Sequence, residues 1–338
     1  MLLLCCFVII NASAGQINPI QNRLSISERD NNWLYVGGSG PGNYTKIQDA
    51  IDNASDGDTI FVYDDSSPYN EHLIIDKTIT LMGENKKTTA INGMNSIGAD
   101  YVVVTNLMFL LWGPAITIKN FSNVVIENCV FNRPTAGILI ETSTNDTIRN
   151  CTFHNDTNTP AFLIVIRDST NIEISYCDFS GSSCMLSPIE LDSSKRITIH
   201  HCSFVRNGGF SVHVLFCRGI SIHHCNFTDN YGGGVQAMGS VVQLTYNNFM
   251  NNGHPGVEFT FLQSGNLRNN WWGSPQGPSI NFTTLHSLRT IYGSIRMRTI
   301  TNGDTVNFYG LTSIRPFVKI ISLIPWRSEP VPDAGWRP

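Results

Sequence analysis

The chain of 338 residues carries a formal net charge of −4, and only 14% of its residues are charged, against roughly 25% in typical soluble proteins. Its Lys and Arg residues form no cluster along the sequence, so the composition argues against a nucleic-acid partner. Acidic polysaccharide stays open as a partner, because local patches or a bound cation could hold it.

The N-terminal residues have the pattern of an export signal. Residues 1–10 are apolar, and Ala12-Ser-Ala14 is a small-residue cleavage pattern. We predict a signal peptide over 1–14, a polar leader over 15–34 and a secreted or cell-surface location. An uncleaved anchor is the alternative, but the apolar run is too short to span a bilayer. No later stretch could cross a membrane, so the mature chain is not expected to span one.

Asn-x-Ser/Thr triplets agree with an exported glycoprotein. They begin at Asn43, Asn53, Asn120, Asn145, Asn150, Asn155, Asn226 and Asn281. Such triplets also arise by chance in a chain rich in Asn and Thr. The sequence therefore leaves open whether any of them is glycosylated.

A short amphipathic helix is predicted near the start of the folded part. Thr45-Lys-Ile-Gln48 has the form of a capping box, apolar residues from Ile47 to Ala54 follow at helical spacing, and Gly57 supplies a stop. We expect this helix to cover the first rung of a sheet, whose edge would otherwise expose unpaired N–H and C=O groups.

An eight-residue motif then recurs along the chain. Ile220-Ser-Ile-His-His-Cys-Asn-Phe227 has close copies at 197–204 and 172–179 and weaker copies elsewhere. Its aromatic position recurs every 22 to 26 residues, at Phe109, Phe131, Phe153, Phe179, Phe204, Phe227, Phe249 and Trp272. A fixed period of this size indicates a solenoid, in which each repeat buries its apolar face against its neighbours.

Each repeat contains short alternating runs and no segment of helical length. Ile220 and Ile222 alternate with polar residues, and a second run such as Val235-Gln-Ala237 follows. Asn207-Gly-Gly209 and Asn230-Tyr-Gly-Gly233 mark turns that need a positive φ. Two or three short strands per turn predict an all-β fold, a parallel β-helix of about eight regular coils with a capping helix and a C-terminal β cap.

The predicted domain boundaries follow from where this pattern holds. The β-helix domain with its N-terminal cap covers 35–280, C-terminal cap strands cover 281–328, and 329–338 is a tail. Within the cap, Thr299–Val306 is expected to form a hairpin with an Asn-Gly turn, and 317–324 a last strand.

The ends of the repeat region resemble a known family. Gly57-Asp-Thr-Ile-Phe-Val62, Tyr69-Asn-Glu71 and Ile79-Thr-Leu-Met-Gly83 resemble the N-terminal cap of pectin-lyase-like right-handed β-helix proteins. Asn270-Trp-Trp-Gly273 and Pro325-Trp326 look like the end of secreted bacterial and archaeal β-helix proteins, closest to the NosD-like, periplasmic copper-binding branch. The resemblance implies a right-handed β-helix over about 35 to 328, but the fold does not carry function.

The motifs of the enzymes in this family are missing from the sequence. Polygalacturonases use Asn-Thr-Asp, Asp-Asp, Gly-His-Gly and Arg-Ile-Lys, whereas this chain has only Gly253-His-Pro-Gly256 and no paired aspartates. The Gln-Asp-Thr-Leu and Asp-Phe-Ile-Phe-Gly segments of pectin methylesterases are absent, and no match to the calcium site and catalytic Arg of pectate lyases is found. These absences favour a non-catalytic role.

One repeat position is predicted to form a ladder of small inward residues at a bend. It is occupied by Cys129, Cys151, Cys177, Cys202, Cys225, Asn247 and Asn270. Strands of successive coils lie about 4.8 Å apart, so buried packing in place of an Asn ladder is the favoured interpretation. A string of thiolates for a soft metal and disulfides between rungs are the alternatives.

Two outward-facing columns are candidate binding sites. Glu190, His213, Gln236 and Glu258 share one repeat position, and their polar stripe could bind sugar. His200 and His201 stack on His223 and His224, and His200 and His223 are expected to be near enough to share one metal ion. A solvated face is the alternative for both columns.

These observations favour an exported β-helix at the cell surface or outside the cell, without catalytic activity, that binds a polysaccharide or other glycan or has a structural role. One alternative is a polysaccharide lyase or glycoside hydrolase with an unfamiliar site on the Glu190–Glu258 face. Another is a copper- or metal-handling periplasmic protein. No cofactor is expected beyond a weakly bound divalent ion, copper or calcium. The sequence leaves the ligand and the oligomeric state open.

Overall fold

The computed structural model describes part of the chain. Described are residues 32–110, 113–132, 136–155, 162–182, 186–253, 255–260, 264–276, 278–283, 305–309, 327 and 329–335. The predicted signal peptide, Cys184, His254, the Asn-Gly hairpin turn and the strand at 317–324 lie outside these residues.

The described residues form three parallel sheets that run along the solenoid. Sheet 1 consists of Trp33–Val36, Thr59–Val62, Thr80–Gly83, Val103–Thr105, Val125–Glu127, Thr147–Arg149, Thr170–Ser175, Lys195–His200, Ile220–His223, Val241–Thr245 and Ser264–Asn266. Sheet 2 consists of Ala90–Ile91, Met108–Phe109, Val130–Asn132, Thr152–His154, Asp178–Ser180, Ser203–Val205, Asn226–Thr228 and Asn248–Met250. Sheet 3 consists of Ile74–Ile75, Asn95–Ile97, Pro114–Lys119, Ala136–Glu141, Phe162–Arg167, Ile189–Asp192, Val212–Leu215, Val235–Met238, Val257–Thr260, Thr305–Tyr309 and Ser279–Thr283, in spatial order.

One coil contains one strand from each sheet, and equivalent positions of successive coils pair in register. In one coil the strands are Ile220–His223, Asn226–Thr228 and Val235–Met238. Ile222 pairs with Ile199 of the previous coil, and Phe227 pairs with Phe204. The predicted all-β, parallel β-helix is confirmed, and the eight strands of sheet 2 agree with about eight regular coils.

The predicted aromatic position lies in the core and forms a continuous stack. Phe109, Phe131, Phe153, Phe179, Phe204, Phe227, Phe249 and Trp272 follow one another with ring centroids 4.6 to 5.0 Å apart and interplanar angles of 14° or less. All eight side chains are buried, at 2% exposure or less. Because every ring faces its equivalent in the next coil, this stack continues the apolar core through all the regular coils.

Helix α1, Ile47–Asn53, is the predicted capping helix, but its cap is not the predicted one. The N-cap residue is Lys46, which makes no side-chain capping bond. The carboxylate of Glu71 instead accepts hydrogen bonds from the N–H groups of Ile47 and Gln48, at 2.9 and 3.0 Å. A carboxylate there also interacts favourably with the positive end of the helix dipole. The prediction of a capping box was wrong, because Glu71, 24 residues after Ile47, caps the helix instead.

The C-terminal end of the helix is also held from outside the helix. Lys77 donates from its Nζ to the carbonyl oxygens of Ile51 and Asp52, at 2.9 and 2.7 Å. The predicted stop, Gly57, lies four residues beyond the last helical residue. The first strand begins at Trp33, so the last two residues of the predicted leader belong to sheet 1.

The C-terminal segments contact the coils in ways that the repeat pattern does not show. Thr305–Tyr309 pairs with Val257–Thr260 on one side and with Ser279–Thr283 on the other, so a later strand lies between two earlier ones. The described part of the predicted tail also contacts the coils. Val331 exchanges hydrogen bonds with the side chain of Asn248, at 2.7 and 3.1 Å.

The predicted turns after sheet 2 contain a positive φ at Gly233 (+111°), and the residue that precedes each of these turns also has a positive φ. Arg206 and Asp229 both have a φ of +56°. Asn207 and Asn230, the predicted turn residues, are fully buried instead. The amide of Asn230 accepts a hydrogen bond from the N–H of Asn207 and donates to the carbonyl of Phe204, each at 3.0 Å. These Asn side chains form hydrogen bonds with buried backbone groups at the bend. The prediction of turn residues did not include this role.

Within the described residues, no helix is long and apolar enough to cross a membrane.

Candidate functional sites on the outer faces

The predicted Cys ladder is present and lies entirely inside the solenoid. Cys129, Cys151, Cys177, Cys202 and Cys225 are outside any disulfide bond and have no exposed surface. Each sulfur faces backbone carbonyls, as in Cys225, whose Sγ lies 3.7 Å from the carbonyl oxygen of Ile199. Burial raises the pKa of the Cys202 thiol well above its usual value. These thiols are therefore packing groups, and neither disulfides nor a thiolate string is found among them.

The four predicted histidines form a compact block of rings, which we call the imidazole block. It lies at the corner between sheet 1 and sheet 2. The rings of His200 and His223 stack with centroids 5.1 Å apart at an angle of 4°. Those of His201 and His224 stack at 5.1 Å and 8°. His201 and His224 have φ angles of +52° and +53°, and this left-handed backbone places two neighbouring His rings side by side.

Further residues enclose the imidazole block. Tyr176 stacks on His201 with centroids 4.9 Å apart, and Tyr246 stacks on His224 at 5.3 Å. The carboxylate of Glu173 lies 3.3 Å from Nε2 of His200. Each histidine ring therefore has at least one face covered by another ring, and His201 and His224 have both faces covered.

Hydrogen bonds and burial disfavour the charged forms of His201 and His223. Nδ1 of His200 lies 2.8 Å from Nδ1 of His201, and the equivalent distance between His223 and His224 is 3.0 Å. One nitrogen of each pair must donate and the other accept, so each pair has at least one neutral ring. Burial, together with the neighbouring imidazoles, lowers the pKa of His223 to about 4 and also lowers that of His201.

The ring positions change the predicted pairing for a metal ion. Two nitrogens bound to one ion at about 2.0–2.1 Å can be at most about 4.2 Å apart. The parallel rings of His200 and His223 are 5.1 Å apart, so their equivalent nitrogens do not approach closely enough to share an ion. The close nitrogens belong to neighbours within one coil, His200 with His201. Among the described residues, no group of three His, Cys, Asp or Glu side chains could hold a metal ion.

The predicted polar stripe is a continuous column on the outer face of sheet 3, and we call it the sheet 3 polar column. Glu190 pairs in register with His213, His213 with Gln236, and Gln236 with Glu258. Gln236 donates from Nε2 to Oε1 of Glu258 at 2.7 Å. The column begins at Glu190, because the equivalent residue of the preceding coil is the buried Val165.

A network of opposite charges continues from this column over the preceding coils. Arg167 lies between Glu190, at 3.2 Å, and Glu141, at 3.9 Å. Glu141 also pairs with Lys119 at 3.1 Å. This network was not predicted from the sequence. Its signal was the alternation of charge at one repeat position, since Lys119, Glu141 and Arg167 pair in register.

The two carboxylates of the sheet 3 polar column differ in their surroundings. The side chain of Glu190 is 13% exposed and paired with Arg167, whereas Glu258 accepts a hydrogen bond from an amide. Three rungs separate them, about 14 Å at the usual strand spacing. Between them, burial lowers the pKa of His213. The column therefore offers acceptors and donors in alternation along one line.

Comparison with known proteins agrees with this architecture. The family model described as "Right handed beta helix region" matches residues 89–240 and 136–288, which is more than half of the chain. The chain belongs to this β-helix family. The match identifies the family and does not distinguish its NosD-like branch. No curated protein matches the sequence.

Several solved structures are similar to this β-helix protein at low sequence identity. The catalytic domain of a GH87 alpha-1,3-glucanase in complex with nigerose is 11% identical with a TM-score of 0.43, covering 93% of this chain and 70% of the glucanase domain. Pectin methylesterase PemA from Erwinia chrysanthemi is 13% identical with a TM-score of 0.33, covering 70% of this chain and 80% of the esterase. Likenesses at this level carry no information on activity.

Proposed function

We propose that the protein is an exported β-helix without catalytic activity that binds a polysaccharide along the sheet 3 polar column. The observation that carries this proposal is the register of Glu190, His213, Gln236 and Glu258, four polar side chains on successive coils. Coils repeat at about 4.8 Å, so the column offers equally spaced hydrogen-bonding groups to a ligand that is itself a repeating chain.

The side chains of the column are also held in place before any ligand binds. Arg167 holds Glu190, and Gln236 and Glu258 hold each other. Fixed side chains lose less conformational entropy on binding than free ones do. This order supports recognition of a polymer by a rigid surface.

An enzyme acting on the same face is the runner-up. The separation of about 14 Å between Glu190 and Glu258 exceeds the roughly 6.5–9.5 Å of the carboxylates of inverting glycosidases. The proposal predicts no release of unsaturated or reducing ends from pectate or polygalacturonate by the pure protein. Such release, abolished by Glu190→Ala or Glu258→Ala, would establish the enzyme instead.

The binding test begins with a glycan array and continues with calorimetric titration of the best polysaccharide. Gln236→Ala should weaken binding at least fivefold, because it removes the amide at the centre of the column. Gln243→Ala is a matched control, since Gln243 is an exposed Gln on sheet 1 of the next coil. Equal weakening by the two variants, or by neither, would contradict the proposal.

Export is part of the proposal and is supported by the apolar residues 1–10 and by Ala12-Ser-Ala14. Expression of the full chain in a secreting host should yield a mature N-terminus at Gly15. An intact Met1 in the recovered protein would argue for retention. Asn155 is fully buried, so it is not expected to carry a glycan in the folded protein.

Weak copper binding at the imidazole block is a second candidate function. Neighbouring Nδ1 atoms 2.8 and 3.0 Å apart suit two ligands of one ion. Imidazole favours Cu²⁺ over Ni²⁺ and Co²⁺, whereas calcium needs six to eight oxygen ligands. Two imidazoles with water in the remaining positions bind only weakly.

Calorimetric titration with Cu²⁺ tests this second candidate at pH 7.5 and 5.5. The variant His200→Ala/His223→Ala should lose the binding heat, because it removes one nitrogen from each pair, and His213→Ala is the control on another sheet. Binding should change little between pH 7.5 and pH 5.5, because burial lowers the pKa of His223 to about 4 and also lowers that of His201, so protons compete for these nitrogens only at lower pH. Equal heats in all three proteins would show that the block is only a solvated surface.

A further inference from the structure

A second polar feature lies on the outer face of sheet 1, on a different side of the solenoid from the sheet 3 polar column. It is a depression of about 190 Å³ that extends over three coils, and we call it the sheet 1 depression. Its polar lining includes Thr147, Asn171, Glu173, Arg196 and Thr198. Pockets for drug-sized ligands measure roughly 300–1,000 Å³, so this volume suits a single small unit.

The solenoid builds this depression from two adjacent columns. Thr147, Glu173 and Thr198 pair in register and face outward on sheet 1. Beside them, Asn171 and Arg196 have φ angles of +60° and +51° at the corner that leads into the sheet. The left-handed backbone turns these two side chains outward, so they form a wall along the threonine and glutamate column.

Opposite charges line the sheet 1 depression without pairing with each other. Glu173 accepts a hydrogen bond from the hydroxyl of Ser175 at 3.0 Å and lies 3.3 Å from His200. Among the described residues, no carboxylate lies within ion-pairing distance of Arg196, which is exposed. The guanidinium donors of Arg196 are therefore available on one side, and a carboxylate acceptor on the other.

The remaining lining groups are also suited to hydroxyl ligands. Asn171 donates from Nδ2 to Oδ1 of Asn145 at 2.6 Å, which fixes its amide and leaves its own oxygen directed elsewhere. The hydroxyls of Thr147 and Thr198 can each donate and accept. Asp146 lies beneath, and its carboxyl is already bonded to Ser143 and to the N–H of Val124.

We propose that the sheet 1 depression binds one pyranose unit of a glycan. A sugar hydroxyl both donates and accepts, so neighbouring hydroxyls can accept from Arg196 and donate to Glu173 at the same time. The two threonine hydroxyls and the oxygen of Asn171 supply the remaining hydrogen bonds. This site deepens the proposed glycan-binding function but lies on another face, so each site can fail without the other.

Saturation-transfer-difference NMR with methyl glycosides tests the site directly. The probes are the methyl glycosides of glucose, galactose and mannose, with that of glucuronic acid as an acidic arm. Wild-type protein should show transfer to at least one of the neutral probes. Arg196→Gln and Thr198→Val should each reduce that transfer at least fivefold, while Gln243→Ala leaves it unchanged.

The outcomes separate this site from the sheet 3 polar column. Loss of transfer in Gln236→Ala but not in Arg196→Gln would assign the sugar to sheet 3 and overturn the proposal. Transfer to the glucuronide alone would contradict binding through the sugar hydroxyls. The absence of transfer to every probe would also overturn the proposal. If the array shows no polysaccharide binding while saturation transfer to a monosaccharide still depends on Arg196, the result would refute only the proposed binding at the sheet 3 polar column. Unchanged thermal midpoints confirm that these surface variants are folded.

Discussion

Phe204 lies in the middle of the aromatic stack and has no exposed surface. Its ring contacts Phe179 and Phe227, each with centroids 4.8 Å away. We expect Phe204→Ala to lower the free energy of unfolding by about 3–5 kcal/mol, because coils locked in register cannot close the cavity. Urea denaturation measures this. Phe216→Ala is the control, since Phe216 is 63% exposed, and a loss below about 1 kcal/mol for Phe204→Ala would refute the stacking argument.

Asp146 is a carboxyl whose burial favours its protonated form. The hydroxyl of Ser143 contacts both the carbonyl of Phe121 and Oδ2 of Asp146. Burial raises the pKa of Asp146 from 3.8 to about 6, against the hydroxyl of Ser143 and the N–H of Val124, which both favour the charged form.

A raised carboxyl pKa makes the contribution of Asp146 to stability depend on pH. The contribution is fully present below about pH 3.8 and is lost as pH rises through about 6. Asp146→Asn removes the titrating proton and can still accept the hydrogen bond from the N–H of Val124. We expect the stability of the variant relative to wild type to rise by about 2 kcal/mol between pH 4 and pH 8. Denaturation at both pH values measures this.

An exposed aspartate supplies the control for the pH experiment. Asp52 lies on the solvent side of helix α1, so Asp52→Asn at the same two pH values controls for removal of a surface carboxylate. A difference between Asp146→Asn and wild type that does not change with pH would show that the pKa of the buried carboxyl is not raised.

At the scale of a single element, helix α1 depends on residues far from it in the sequence. Glu71 caps its first turn, whereas the exposed Thr45 of the expected capping box makes no cap. We expect Glu71→Ala to cost about 0.5–2 kcal/mol and Thr45→Ala a few tenths at most. Hydrogen exchange of the Ile47 and Gln48 amides, which should accelerate only in Glu71→Ala, measures the cap. Acceleration in Thr45→Ala instead would restore the local capping box.

For the whole molecule, the burial of six thiols links chemical reactivity to unfolding. Cys129, Cys151, Cys177, Cys202, Cys217 and Cys225 are outside any disulfide bond and buried. Burial raises the pKa of Cys217 to about 11, and the thiolate is the reactive form. We expect these six to react with a thiol-specific disulfide reagent only at the rate of unfolding.

The measurement compares native protein with protein in 6 M guanidinium chloride, using Cys184→Ser with the predicted signal peptide removed so that only these six thiols remain. Native protein should show no rapid phase, and the denatured protein should show six equivalents. A rapid native phase of one or more equivalents would mean that the coils open locally at the ladder.

The sequence alone determined the core of this protein, because a solenoid buries equivalent positions against one another. The spacing of the aromatic residues therefore predicted the Phe stack, and alternation at Ile220 and Ile222 predicted which side chains face inward. The positions of the outward columns followed from the same period, so Glu190 and His213 were expected to be neighbours.

Contacts between different repeat positions were decided only by the tertiary structure, since no period relates them. Glu71 reaches a helix 24 residues away, and Thr305–Tyr309 inserts between two earlier strands. The orientation of the histidine rings could not be predicted from the sequence either. The repeat places His200 beside His201 but does not show which of their nitrogens lie close to each other. The sheet 1 depression also depends on the tertiary structure. The left-handed backbone at Arg196 places this residue beside the column that contains Glu173 and Thr198, and no sequence period relates the two positions.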